Sequence, residues 1–180
     1  VGSNKPLGKS KKVMGEKTFY QTIVDLYSEQ MHNDLVNLGC TKNKTFTLEF
    51  PYQHVPEDLM RHFIRGYFDG DGSVHYLMEI YAPVSKKRYR ASVRGTYSMM
   101  DGIRNYIPSN SIPPIKQDKS GYYLEYGGNN VTFKVMEYLY KGATVYLDRK
   151  REVYDHVKDY LRYKEEFIEL TKKERIINGN

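Results

Sequence analysis

HFIRGYFDGDGSV, residues 62–74, joins an apolar helical repeat directly to a pair of acids. Phe63, Ile64 and Tyr67 recur at helical spacing, and the helix they predict runs into Asp69, Gly70, Asp71 and Gly72. Two carboxylates therefore fall at the carboxyl end of a helix, where the backbone dipole is itself negative. Acids placed there ask for compensation, which a divalent cation supplies. Gly66 and Gly70, four residues apart, share one face of the same helix. A glycine inside a helix costs roughly 1 kcal/mol relative to alanine, so the pair predicts close approach of a second helix, backbone to backbone. A calcium loop of the EF-hand type is excluded. Ser73, Val74, His75, Tyr76, Leu77 and Met78 provide no further series of oxygen ligands at the required spacing.

The flanking sequence predicts an α+β unit. Pro56 stands at the favoured first position of the helix, whose apolar side is Leu59, Met60, Phe63, Ile64 and Tyr67. YLMEIY (76–81) and RYRASVRGTY (88–97) predict two antiparallel strands joined through Pro83 and Lys86. Ser98 then opens a short helix that ends before Pro108, and residues 115–126 predict a hairpin turning at Ser120 and Gly121. Asn129 or Asn130 caps a helix through Tyr140. A charged amphipathic helix follows over 149–173, with Val153, Val157, Leu161, Phe167 and Leu170 as core positions. Upstream, TFYQTIVDL (18–26) predicts a strand, Ser28 caps a helix carrying Met31, Leu35 and Leu38 up to Gly39, and TFTLEF (45–50) predicts another strand ended by Pro51. Lys5, Lys9, Lys11, Lys12 and Lys17, interspersed with Gly2, Gly8 and Gly15, read as a mobile basic arm or loop.

With 180 residues, 39% of them hydrophobic, the chain can bury a core of ordinary size. Its formal charge of +6 and pI near 9.1 favour an anionic partner. No apolar run reaches the roughly 20 residues of a membrane span, so no membrane partner is expected. The single cysteine, Cys40, allows neither a disulfide nor a cysteine zinc site within the chain and suggests an intracellular setting, cytoplasm and organelle being indistinguishable. Cys40 itself is expected to be a small buried hydrophobe. His62 and His75 lack the spacing of a metal pair and read as structural or solvent-facing.

Alternation along 88–97 separates a core face (Tyr89, Ala91, Val93, Gly95, Tyr97) from a donor-rich face (Arg88, Arg90, Ser92, Arg94, Thr96). Such a row of donors suits phosphates and guanine edges, and a twisted antiparallel sheet can lie in a major groove. Lys116, Gln117 and Lys119 are expected to extend the same DNA-binding surface. Several tyrosines are assigned to core or rim packing rather than to base stacking.

Residues 64–72, IRGYFDGDG, resemble the nine-residue LAGLIDADG motif of the homing endonucleases. HNDLVNLGC (32–40) and YLDRKREVYDHV (146–157) are similar to other segments common in that family, so the resemblance spans about residues 17–157. It implies an αββαββα unit with a curved antiparallel DNA-binding sheet, in which two motif helices pack together and each delivers one acid. By that resemblance Asp71 is the acid that binds Mg²⁺ or another divalent cation, with Gly70 beside it in the metal site. Asp69 caps or hydrogen-bonds locally, and Arg65 stands where the motif has alanine. Lys150 joins the solvent network around the cleaved phosphate, unless Arg149 or Arg151 takes that place. The implied function is site-specific cleavage of double-stranded DNA, as in intron or intein mobility. The alternative is a DNA- or RNA-binding maturase or regulator that keeps the scaffold without cleavage. Residues 1–55, a basic arm and a strand-helix-strand, resemble the end of an upstream repeat, and 56–180 a LAGLIDADG repeat with C-terminal helices. The second helix is then expected from an upstream repeat rather than from a homodimer partner.

Overall fold

A computed structural model of the chain describes residues 6–81, 84–109 and 112–177. They form two compact units, which divide after Asn37. In the first, β1 (Gly8–Met14) pairs with β2 (Lys17–Ile23) in an antiparallel ribbon, and α1 (Glu29–Asn37) follows. Of the basic segment expected to be a mobile arm or loop, Lys9, Lys11 and Lys12 therefore lie on β1 and Lys17 opens β2, while Gly2 and Lys5 lie outside the described residues. Gly15, at φ 60°, supplies the left-handed backbone that a tight turn between Met14 and Lys17 requires. The expected cap of α1 is present, since Met31 N–H donates to Ser28 Oγ at 3.2 Å.

The second unit runs α2 (Met60–Asp71), β3 (Ser73–Tyr81), β4 (Val84–Gly95), α3 (Tyr97–Tyr106), β5 (Lys116–Asp118), β6 (Gly121–Gly127) and α4 (Asn129–Tyr140), then α5 (Asp148–Ile177). From α2 to α4 this is the αββαββα order, an α+β fold built on one antiparallel sheet with strand order β3-β4-β6-β5. The core forms where α2, α3 and α4 press Ile64, Phe68, Met100, Ile103, Met136 and Leu139 against Ala91, Val93 and Leu124 of the sheet. On α5, Tyr154 and Val157 are buried and Val153 and Leu161 partly so. The side chains of Phe167 and Leu170 lie outside the described residues.

Five local expectations are corrected. Residues 45–50 form no strand. A 3₁₀ turn occupies Lys44–Phe46, and the backbone beyond it is satisfied by side chains at the start of α3. Thr96 Oγ1 donates to the Leu48 carbonyl at 2.6 Å, and Phe50 N–H donates to Ser98 Oγ at 3.1 Å. These bonds bring Phe50 into the core of the second unit, so residues 38–55 belong to that unit rather than to the ribbon. The cap of α3 is accordingly Thr96, whose Oγ1 accepts from Met99 N–H at 3.2 Å, and not Ser98. Gly128, at φ 95°, precedes α4, while Asn129 fastens it to β4 by accepting from Tyr89 N–H (2.9 Å) and donating to the Lys87 carbonyl (3.0 Å). Cys40 is exposed rather than a buried hydrophobe. Tyr97 is exposed too, since the strand alternation stops at Gly95.

Phe50 makes one glycine indispensable. A Cβ on Gly102 of α3 would enter the Phe50 ring. Gly102→Ala is expected to lower stability by about 1–3 kcal/mol despite alanine's better helix propensity, read as a shift in the urea midpoint. An unchanged or higher midpoint would show that Phe50 is free to withdraw.

Candidate functional site

Three faces of α2 have three different occupations. Met60, Ile64 and Phe68 enter the core. Arg65 is also buried, with Nη1 2.9 Å from the His62 ring nitrogen and 3.5 Å from the Leu139 carbonyl, so it turns toward α4. His62, Gly66 and Gly70 form an exposed stripe, and a Cβ added at either glycine would meet nothing within 4 Å. Arg65 therefore leaves the glycine stripe open.

The carboxyl end of α2 is held by Lys150, from the first turn of α5. Its ammonium donates to the carbonyls of Phe68, Asp69 and Gly72, and the side chain is only 1% exposed. Three donors thus meet three carbonyls at the negative end of the helix dipole. Burial lowers the Lys150 pKa and Arg149 adds to this, whereas the charges of Asp69 and Asp71 oppose it. Sequence placed Lys150 near the motif, but its enclosure by backbone carbonyls depends on how α5 crosses α2.

The two acids have separate fates. Asp69 accepts from the Tyr140 hydroxyl and from Leu147 N–H (3.2 Å), tying α2 to α4 and to the segment before α5. Burial, reinforced by that bond, pushes the Tyr140 hydroxyl far up. Asp71 is exposed and makes no hydrogen bond or ion pair with any described residue. It lines a hollow of about 710 Å³ together with Tyr67, Arg94, Gly95, Gln117 and Asp118. Tyr67 donates to the Arg94 carbonyl at 3.0 Å. Burial and then the charge of Asp71 push its pKa up to about 12. The hydroxyl sits where a Cβ on Gly95 would be, which accounts for the glycine there.

Among the described residues no three His, Cys, Asp or Glu side chains cluster as a metal cage. Asp71 nevertheless suits a hard cation whose shell is completed by other ligands, because Mg²⁺ is commonly held by one or two carboxylates with substrate phosphate and water. The Gly70 carbonyl is not among those taken by Lys150.

Strand register divides the polar sheet residues. Arg90, Ser92 and Arg94 share the open face with Tyr123 and Glu125 of β6, His75 of β3, and Lys116 and Asp118 of β5. Arg88 is exposed further along β4. Gln117 pairs with Tyr122 and so points to the opposite side from Lys116, while Lys119 is exposed in the β5–β6 turn. Thr96 lies beyond the strand, its hydroxyl committed to capping α3 and to Leu48. The face is also less uniformly basic than β4 alone suggests. Glu125 pairs with Arg90 and with Lys116, both at 3.3 Å, and Asp118 holds Arg94 at 2.6 Å. The Arg94 guanidinium, aided by Ser120 N–H, keeps the Asp118 carboxyl below the usual range. Asp118, Tyr123 and Glu125 escape a reading that looks for cations alone. The alternation of 121–127 is the signal in the sequence that puts Tyr123 and Glu125 on one face.

No helix among the described residues is long and apolar enough to cross a membrane. No family model matches the chain, and neither does any curated protein. Solved structures do. The homing endonuclease I-CvuI in complex with the I-CreI target, with Mg present and the DNA not cleaved, is similar over 56% of this chain and 67% of its own, at 13% identity and a TM-score of 0.45. The same enzyme with its own target and Ca covers 59% and 70%, at 13% identity and 0.46. The archaeal intron-encoded I-Vdi141I, complexed with DNA, covers 67% and 74%, at 18% identity and 0.45. The structural neighbours of this chain are LAGLIDADG homing endonucleases.

Proposed function

We propose that the chain belongs to the LAGLIDADG homing endonucleases and hydrolyses phosphodiester bonds at a specific double-stranded DNA site, with Mg²⁺ or another divalent cation at Asp71. One observation carries this reading. At an end of α2 where Asp69 and three carbonyls already have partners, Asp71 alone is left exposed and unpaired. Asp71, with the Gly70 carbonyl beside it, would hold the ion, which when bound stabilises charge on the phosphate and lowers the pKa of water. Lys150 keeps the last turn of α2 in place, and its ammonium adds positive potential beside the scissile phosphate. The open face of the sheet supplies donors for the groove and the backbone.

A plasmid-nicking assay with Mg²⁺, using sites selected from randomised duplexes, tests the proposal. Strand cleavage supports it. Specific binding without cleavage would favour a maturase or regulator on the same scaffold, and weak binding even at low salt would make the basic face incidental.

The glycine stripe calls for a second helix, from an upstream repeat or from a second copy. If it is free in the isolated chain, Gly66→Ala and Gly70→Ala should each raise stability by about 0.5–1 kcal/mol, the ordinary gain of alanine over glycine in a helix. If two copies already pair there, each substitution should lower both stability and the dimer mass seen by light scattering. Both outcomes can be read from one thermal melt and one scattering run.

A further inference from the structure

Arg94 is constrained through both its backbone and its side chain. Its carbonyl accepts from the Tyr67 hydroxyl at 3.0 Å, its Nη1 donates to both oxygens of Asp118 at 2.6 and 2.8 Å, and its guanidinium carbon lies 4.9 Å from the centroid of the Tyr123 ring. The carboxylate and the ring together fix the plane of the guanidinium. Both bonds to Asp118 use Nη1, so Nε and Nη2 remain as two parallel donors with no partner among the described residues. The Arg94 and Asp118 side chains are 44% and 42% exposed, so neither is closed off from solvent.

We propose that Asp118, Tyr123 and Arg94 form a preorganised reading head for guanine. In it Arg94 meets guanine O6 and N7 in the major groove, and Asp118 and Tyr123 act as positioning residues. This rests on the DNA-endonuclease reading above and adds to it the class of base read nearest Asp71, since Arg94 and Asp71 line the same hollow. The free edge matches the two acceptors of guanine, a pairing that no other base offers in the major groove. An unconstrained arginine side chain would lose rotamer freedom on binding, whereas this one has already lost it. Lys116 and Arg90, which share Glu125, have no comparable plane to present, because Glu125 divides its oxygens between them at 3.3 Å.

The test is selection of bound sites from a randomised double-stranded DNA library with the full chain, for wild type, Asp118→Asn and Arg94→Lys. Asp118→Asn keeps an acceptor for Ser120 N–H. It offers Nη1 one acceptor instead of two and removes the charge. Arg94→Lys keeps the charge but loses the planar fork. Wild type is expected to prefer guanine at one position by roughly tenfold, and both variants to reduce that preference to about threefold or less. Preferences elsewhere and the salt dependence of Asp118→Asn should stay as they were, which a merely structural role would not produce. If Asp118→Asn instead tightens binding to all sequences and steepens the salt dependence, Asp118 only dampens positive charge and the proposal fails. A uniform loss in Arg94→Lys, with no position relaxed, would make Arg94 a phosphate contact and also overturn it. Wild type selecting no site at all defeats the endonuclease reading and this one together; a selected site with guanine preference intact in both variants defeats this one alone.

Discussion

Asp71→Asn is expected to reduce strand cleavage by at least roughly 100-fold while leaving affinity for a selected duplex nearly unchanged. The substitution is almost isosteric and removes a carboxylate that makes no hydrogen bond or ion pair with a described residue, so folding has little to lose by it. A metal site built around one protein carboxylate, in contrast, loses its only anionic protein ligand. Asp69→Asn provides the internal comparison. It turns one Asp69 oxygen into an NH₂ group, facing either the Tyr140 hydroxyl or Leu147 N–H, both of which donate in the present structure. With the amide oxygen kept on Leu147 N–H the Tyr140 hydroxyl must turn from donor to acceptor, and losing its charge-assisted bond and leaving its proton without an acceptor in a partly buried position costs about 1–3 kcal/mol. Unfolding in urea should therefore separate the two acids, with the Asp69 variant less stable and the Asp71 variant close to wild type. Cleavage at the wild-type rate by Asp71→Asn would remove the metal assignment. A large drop in its melting temperature would instead mean that Asp71 has a structural partner.

Lys150→Met is expected to destabilise the second unit by about 3 kcal/mol or more, among the largest effects of any single substitution here. Methionine fills the volume and can keep contact with the Phe68 ring, over which the ammonium now lies at 4.8 Å. It cannot donate, so the carbonyls of Phe68, Asp69 and Gly72 lose their shared donor inside the protein. The Phe68 carbonyl keeps Gly72 N–H at 2.8 Å, but losing the donor at the partly buried carbonyls of Asp69 and Gly72 costs on the order of 1–3 kcal/mol each, and the helix end also loses its compensating charge. Against a typical total of about 5–15 kcal/mol this is a substantial fraction. Cleavage should fall as well, because the turn that presents Asp71 is the turn Lys150 holds. The denaturation midpoint distinguishes this from a purely catalytic lysine. Full stability with lost cleavage would place the ammonium in the reaction rather than in the scaffold.

Helix α2, both hairpins of the second unit and the alternation of β4 were legible in the sequence because each is governed by neighbours a few residues apart. Period 3.6 marks Met60, Ile64 and Phe68, and period 2 marks Tyr89, Ala91 and Val93. The stripe of Gly66 and Gly70 and the pair of acids at the helix end arise from the same local spacing. Residues 45–50 were misread for a related reason. Their β-branched and aromatic composition suits a strand, but hydroxyls nearly fifty positions away satisfy their backbone. The basic arm was misread in the opposite direction, since lysine spacing carries no information about the strand opposite it.

Local spacing does not distinguish Asp69 from Asp71, and the resemblance separates them without giving a physical reason. Tertiary structure supplies that reason, because the approach of Tyr140 and Leu147, more than seventy residues downstream, consumes Asp69 and spares Asp71. It likewise decided that Lys150 is enclosed by carbonyls, that Gln117 lies on the other side of the sheet from Lys116, and that Arg94 faces Asp118. Periodicity assigns a residue to a face. The partner met on that face depends on strand register and helix crossing, which are set by the packing of the whole core.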